Sequence, residues 1–165
     1  MKITLLVSLL YFTGSNVFGQ ANFKKIANKF TTAVISQNDA TALINNDEAI
    51  MLDSRELNEY SVSHLKNAKH IGFNDFNIEK TKKLISSSNK KIIVYCSVGY
   101  RSGKITAKLR KEGIKAFNLE GGIFDWVNQD RELYNNSGKT KQIHGYDKKW
   151  SRLISNKNIT IKIDP

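Results

Sequence analysis

The run Ile92-Ile93-Val94-Tyr95 constrains the fold of this chain more than any other stretch. Its residues are β-branched or aromatic and carry no polar alternation, so a strand formed here is buried on both faces. Such a strand belongs inside a parallel sheet, and the sheet then needs helices on each side. The flanking sequence provides both. Ala49-Ile50-Met51-Leu52 is a second buried-type strand, and shorter β-prone runs occupy 31–35, 68–71 and 115–119. Helical patterns alternate with them. Ser36 reads as an N-cap with Asp39 three residues on, before Ala42, Leu43 and Ile44. A short helix is expected over 56–62, and Phe76, Ile78, Leu84 and Ile85 form an imperfect helical stripe. Ile105 and Leu109 lie one turn apart ahead of the stop at Gly113, and Gly121-Gly122 opens a last helix with Ile123, Phe124, Trp126 and Val127. The order predicts an α/β domain with a central, mostly parallel sheet flanked by helices.

In such sheets functional groups gather beyond the carboxyl ends of the strands. The central strand ends at Cys96, the only cysteine of the chain. Ser97, Val98, Gly99 and Tyr100 follow as a short loop, then Arg101, Ser102 and a helix through about Gly113. Backbone N–H groups of such a loop and of the first helical turn point at the sulfur and favour its charged form. Asp53 and Arg55 stand at the corresponding end of the second strand. No His/Cys/Asp cluster has metal-ligand spacing, so neither a metal nor a cofactor is expected.

Residues 1–19 read as a secretory signal peptide: Met1-Lys2, an apolar region from Ile3 to Phe12, then Val17-Phe18-Gly19 before cleavage at Gln20. The apolar run is too short for a membrane-spanning helix, so no membrane anchor is expected after cleavage; an uncleaved anchor is the alternative. The mature chain is expected to be exported, to the periplasm or the extracellular space. There a single cysteine makes no internal disulfide. The formal charge of +11 comes from scattered pairs such as Lys24-Lys25, Lys82-Lys83, Lys90-Lys91 and Lys148-Lys149. That pattern is a solvated basic surface and not a specific nucleic-acid footprint. Residues 20–30 are a polar lead-in carrying Phe23, Ile26 and Phe30, and 31–129 form the α/β domain. Residues 130–165 are expected to be an ordered extension packed on it. There Tyr146, Trp150, Leu153 and Ile154 show helical spacing, and Ile159, Ile161 and Ile163 alternate as in a half-buried strand. Asn135-Asn136-Ser137-Gly138 reads as a flexible turn. A protein partner for the extension is not specified by the sequence.

Taken together, these residues resemble the rhodanese-like family of sulfurtransferases. Leu52-Asp53-Ser54-Arg55-Glu56 with Glu59-Tyr60 is similar to the family's first signature. Ser63-His64-Leu65-Lys66-Asn67-Ala68 is similar to its Gly-His-Ile-Pro-Gly-Ala segment at the His and Ala, and departs from it at Ser63, Lys66 and Asn67. Cys96-Ser97-Val98-Gly99-Tyr100-Arg101-Ser102 matches the Cys-x-x-Gly-x-Arg-Ser active loop, and Leu119-Glu120-Gly121-Gly122 with Trp126 matches the closing segment.

The resemblance implies a sulfurtransferase in which Cys96 takes a sulfane sulfur from a small anionic donor such as thiosulfate. The resulting persulfide passes its outer sulfur to cyanide or a thiol. Ser97 to Ser102 would cradle the persulfide as an oxyanion hole does, with Gly99 permitting the bend. Arg101 would either meet an anionic donor or hold the loop. Asp53 and Arg55 are expected to brace the site, and His64 to be a hydrogen-bonded structural residue. Two other readings compete: a non-catalytic rhodanese-like binding or sulfur-carrier module, and a cysteine-loop phosphatase or arsenate reductase. The loops of the latter hold one residue more between cysteine and arginine, so the smaller cradle here suits sulfur better than phosphate.

Overall fold

In the computed structural model of the chain, residues 23–86 and 88–164 are described. The expected signal segment and the start of the lead-in lie outside the described residues. Five strands, β1 (Val34–Ile35), β2 (Ala49–Asp53), β3 (Lys69–His70), β4 (Lys91–Tyr95) and β5 (Ala116–Leu119), form a sheet in the order β1-β5-β4-β2-β3. All its pairings are parallel. The apolar run Ile92–Tyr95 thus sits at the centre, between β2 and β5.

Strand periodicity divides β4 between two cores. Ile92 and Val94 pack on one face with Leu52, Ile85, Ile105 and Leu109. Ile93 and Tyr95 pack on the other with Met51, Leu119, Ile123 and Phe124. Ile93, Val94 and Tyr95 have no solvent exposure, and truncating one such side chain costs about 2–5 kcal/mol. The helices follow the sequence closely. Helix α1 (Gln37–Asn45) starts at Ser36, whose Oγ accepts the Asp39 N–H at 3.1 Å, and ends before Asp47, which has φ 55°. Helices α2 (Leu57–Val62), α3 (Ile78–Ile85), α4 (Tyr100–Lys111) and α5 (Gly122–Asn128) follow in order, and a short helical segment over 23–27 precedes them all. One boundary differs from expectation. Helix α4 begins at Tyr100 with Gly99 as its N-cap at φ 95°, so Arg101 lies in the first helical turn and not in the loop.

The extension is ordered and packs on the domain, but by a different construction from the one its spacing suggests. Leu133–Asn135 (β6) and Gly138–Thr140 (β7) pair as a tight antiparallel hairpin, so the expected flexible turn is a hairpin turn. Gln142–His144 (β8) and Thr160–Lys162 (β9) pair in parallel. The expected helix is only a 3-10 turn over Trp150–Leu153, and Tyr146 stands outside it at φ 67°. The expected half-buried strand is also corrected: every residue of β9 is exposed, because β9 is covered only by the edge of β8. Burial comes instead from Leu133, Ile143 and Ile154, which enter the core shared with Ile93 and Phe124. The backbone of Tyr134 exchanges two hydrogen bonds with His64, at 2.7 and 2.9 Å.

Candidate functional site

Cys96 follows the last residue of β4, at the sheet's carboxyl edge, and is 1% exposed. Its loop is held in shape by the start of α5. The Ile123 and Phe124 N–H groups donate to the Cys96 and Ser97 carbonyls at 2.9 and 3.0 Å. That close approach explains Gly122, since a Cβ there would lie 2.3 Å from the Cys96 carbonyl oxygen. With these carbonyls drawn outward, the chain turns through Gly99, whose N–H donates to Cys96 Sγ at 3.2 Å. Helix 23–27 closes on this turn: a Cβ on Gly99 would meet Ala27 at 3.3 Å.

Asn118 on β5 locks the other side of the loop. Its Nδ2 donates to the Gly99 and Ala27 carbonyls at 2.9 and 3.0 Å, which leaves Oδ1 as the acceptor for Ser102 Oγ at 2.6 Å. The Ser102 oxygen also lies 3.4 Å from Sγ. One hydroxyl proton serves one acceptor at a time. Ser102 can therefore receive a thiol proton while bonded to Asn118, or rotate to donate to a sulfur anion.

Arg101 is held by a two-pronged ion pair. Nη1 and Nη2 donate to Glu59 Oε2 and Oε1 at 2.6 and 2.7 Å, and Nη2 also reaches Ser97 Oγ at 3.0 Å. Glu59 further accepts the Ser97 hydroxyl at 3.1 Å and the Glu56 N–H at 3.0 Å. Burial pushes the Glu59 carboxyl up, but hydrogen bonds and charge from Arg101, with charge from Arg55, hold it below the usual range. Burial works against the Arg101 cation, and the hydrogen bonds to Glu59, together with the charges of Cys96 and Glu59, more than offset it, so the guanidinium stays charged. In this structure the fork of Arg101 holds the loop. The ring of Tyr146 lies over it, with the guanidinium carbon 5.1 Å from the ring centroid.

Asp53 and Arg55 sit beneath the loop, both without exposure. Arg55 Nε and Nη2 bind Asp53, and Nη2 also donates to the Ser63 carbonyl at 2.6 Å. This pair ties the end of β2 to the end of α2. His64 stacks on Tyr60 with ring centroids 4.3 Å apart, and its Nδ1 meets the Leu65 carbonyl at 2.9 Å. The geometry thus gathers Cys96 to Ser102 around the sulfur and leaves Asp53, Arg55 and His64 as surrounding framework. Glu59 and Asn118 belong to the site although sequence reasoning does not single them out. Glu59 stands within the first signature and in the structure also closes the capping box of α2; for Asn118 the available signal is a polar residue within a buried strand.

A cavity of about 360 Å³ opens above Cys96, walled by Ser97, Val98, Tyr100, Arg101 and Phe73, with Tyr146 and Trp150 from the extension. A depression of about 420 Å³ near the β6–β7 hairpin is lined mostly by charged and polar side chains and lies away from Cys96, so the candidate site is the smaller space.

The model of the rhodanese-like domain matches residues 36–129. The chain belongs to the rhodanese-like domain family. Among its relatives, tRNA uridine(34) hydroxylase of Salmonella heidelberg is 33% identical over 98 residues, which are 57% of this chain and 28% of that protein. The chain therefore spans under a third of the length of that relative. A Bacillus halodurans protein of solved structure shares 27% identity at a TM-score of 0.57, over 72% of this chain and 85% of that one. Thiosulfate sulfurtransferase of Pseudomonas aeruginosa shares the fold at a TM-score of 0.58, with 17% identity over 82% of this chain and 26% of that one. The family match ends at residue 129, so Tyr146 and Trp150 lie outside it.

Proposed function

We propose that the protein is a sulfurtransferase that carries sulfur as a persulfide on Cys96. The observation that carries the reading is the cradle itself: a cysteine at the floor of a cavity, its Sγ facing the Gly99 N–H at 3.2 Å and the Ser102 hydroxyl at 3.4 Å. Both groups can stabilise a sulfur anion without moving the backbone.

With thiosulfate, the Cys96 thiolate attacks the sulfane sulfur. The sulfur–sulfur bond of the donor breaks, sulfite leaves with the electron pair, and Cys96 holds a persulfide anion. A thiophilic acceptor then attacks the outer sulfur. Cyanide leaves as thiocyanate, or a thiolate leaves as its persulfide, and the Cys96 thiolate is regenerated. Arg101 acts as a positioning residue: three of its N–H donors already bind Glu59 and Ser97. The four-residue span between Cys96 and Arg101 weighs against a phosphatase or arsenate reductase, whose larger loops cradle a tetrahedral oxyanion. Hydroxylation, named for the Salmonella relative, is not carried over to a chain covering 28% of that protein. Export of the chain is proposed on the composition of residues 1–19, and fractionation of the source cells tests it.

Thiosulfate:cyanide assays of the wild type and Cys96→Ala test the reading. Thiocyanate formation in the wild type should fall by at least ~10³-fold in the variant, as when a nucleophile is removed. Equal rates in the two proteins would remove Cys96 from the mechanism.

A further inference from the structure

We infer that Tyr146 and Trp150 make this site selective for sulfur donors with an apolar, aromatic-sized body over small inorganic anions. The inference rests on the sulfurtransferase reading of Cys96 and adds its substrate class.

Three observations converge on it. First, the cavity of about 360 Å³ falls within the range of organic-ligand pockets, roughly 300–1,000 Å³. Thiosulfate would leave most of it empty. Second, four of its ten lining residues are aromatic: Phe73 and Tyr100 from the domain face the same space as Tyr146 and Trp150 from the extension, beside the polar Glu56, Asn74, Ser97 and Arg101. The cation best placed to attract an anion is already neutralised by Glu59 and covered by the Tyr146 ring. Third, Tyr146 is set in place at a cost. A bulky residue at φ 67° is strained.

Several contacts fix that strained turn. The Tyr146 N–H donates to His144 Nδ1 at 3.0 Å, so that nitrogen is the acceptor and the ring proton sits on Nε2, facing Asp164 at 3.2 Å. Gly145 is wedged so tightly that a Cβ would meet Ile161 and Ser151 at 2.7 and 2.8 Å. Asp147 Oδ1 accepts the Trp150 N–H at 2.7 Å and so starts the 3-10 turn that holds the indole. Tyr146 nevertheless remains 48% exposed. A half-exposed ring held in a strained turn above a nucleophile contributes little to the core. An organic donor inserted beneath it would bury the ring's apolar face.

The donor class is an organic thiosulfonate or an equivalent sulfane-sulfur carrier. Cys96 thiolate attacks the outer sulfur of R–SO₂–S⁻, the sulfur–sulfur bond breaks, and R–SO₂⁻ leaves with the electron pair. Benzenethiosulfonate and methanethiosulfonate share this reacting group and differ in the body. The test measures kcat/KM for both, with cyanide as acceptor, in the full chain and in Tyr146→Phe, Tyr146→Ala and Trp150→Ala. The benzene-to-methane ratio should fall about tenfold in each alanine variant and be kept in Tyr146→Phe. Comparing ratios between variants cancels the intrinsic reactivity of the donors. A merely structural role would lower both donors together and leave the ratio fixed, which would overturn the inference.

Should no donor turn over in the wild type, sulfur transfer itself fails, and the cavity is judged by binding. Calorimetry of benzenesulfinate and methanesulfinate on Cys96→Ser then shows preference for the aromatic body, lost about tenfold with an added Tyr146→Ala. Equal binding of the two sulfinates overturns the inference.

Discussion

The two halves of the site are built in opposite ways. The floor, from β4 through Gly99 into α4, is buried, and its polar groups are paired several times over. Glu59 alone accepts four hydrogen bonds, from Arg101 twice, Ser97 and Glu56. The roof, from His144 to Leu153, is one strained turn and one short 3-10 turn, with Tyr146 half in solvent. A floor of that kind fixes a reacting atom to a narrow geometry. A roof of that kind contributes area and shape, and it can change without unfolding the sheet. The difference assigns the chemistry to the floor and the choice of substrate to the roof.

Breaking the floor should be costly. Glu59→Ala leaves the Arg101 cation largely buried without its partner, and unfolding measured in denaturant should show a loss of about 3 kcal/mol. The loop should loosen with it, lowering sulfur transfer in the same variant. A stability loss below about 1 kcal/mol would mean that water replaces Glu59 readily and that the floor is less closed than described.

The same pair gives the floor a pH signature. Glu59 has its carboxyl held below the usual range, so its contribution to stability is complete above the ordinary glutamate value of about 4.3. That contribution is lost as pH falls through the lower folded value. Wild-type stability should drop over that acid interval, and Glu59→Gln should flatten that part of the profile. An identical acid profile in the two proteins would assign the acid sensitivity to other carboxylates.

The smallest effect is expected at the roof. Tyr146→Ala should change unfolding free energy by about 1 kcal/mol or less, since it removes one cation–π contact made by a half-exposed ring and no core packing. A loss comparable to that of Glu59→Ala would make the roof part of the framework and erase the contrast.

The floor was legible in the sequence because its determinants are local. An unbroken apolar run announces a central parallel strand, and Cys96, Gly99, Arg101 and Ser102 fall within one short loop. The partners of that loop come from elsewhere. Asn118 reaches Gly99 from β5, and Glu59 reaches Arg101 across 42 residues, and no spacing rule links such pairs. The roof was misread for a related reason. Tyr146, Trp150 and Leu153 carry a helical period, yet Gly145 and the left-handed Tyr146 divert the chain before a helix can form. Ile161 and Ile163 alternate like a buried strand, but β9 lies at an edge, and Ile161 within it and Ile163 just past it are each 37% exposed. Periodicity records which residues could share a face, while the neighbouring elements decide whether that face is covered.

The central claim, that the floor around Cys96 exists to hold a sulfur anion, is tested most directly by intact mass after exposure to a sulfane-sulfur donor. The wild-type chain should gain the mass of one sulfur atom, cyanide should remove it, and Cys96→Ala should never acquire it. A wild-type chain that stays unmodified with thiosulfate and both thiosulfonates would contradict it.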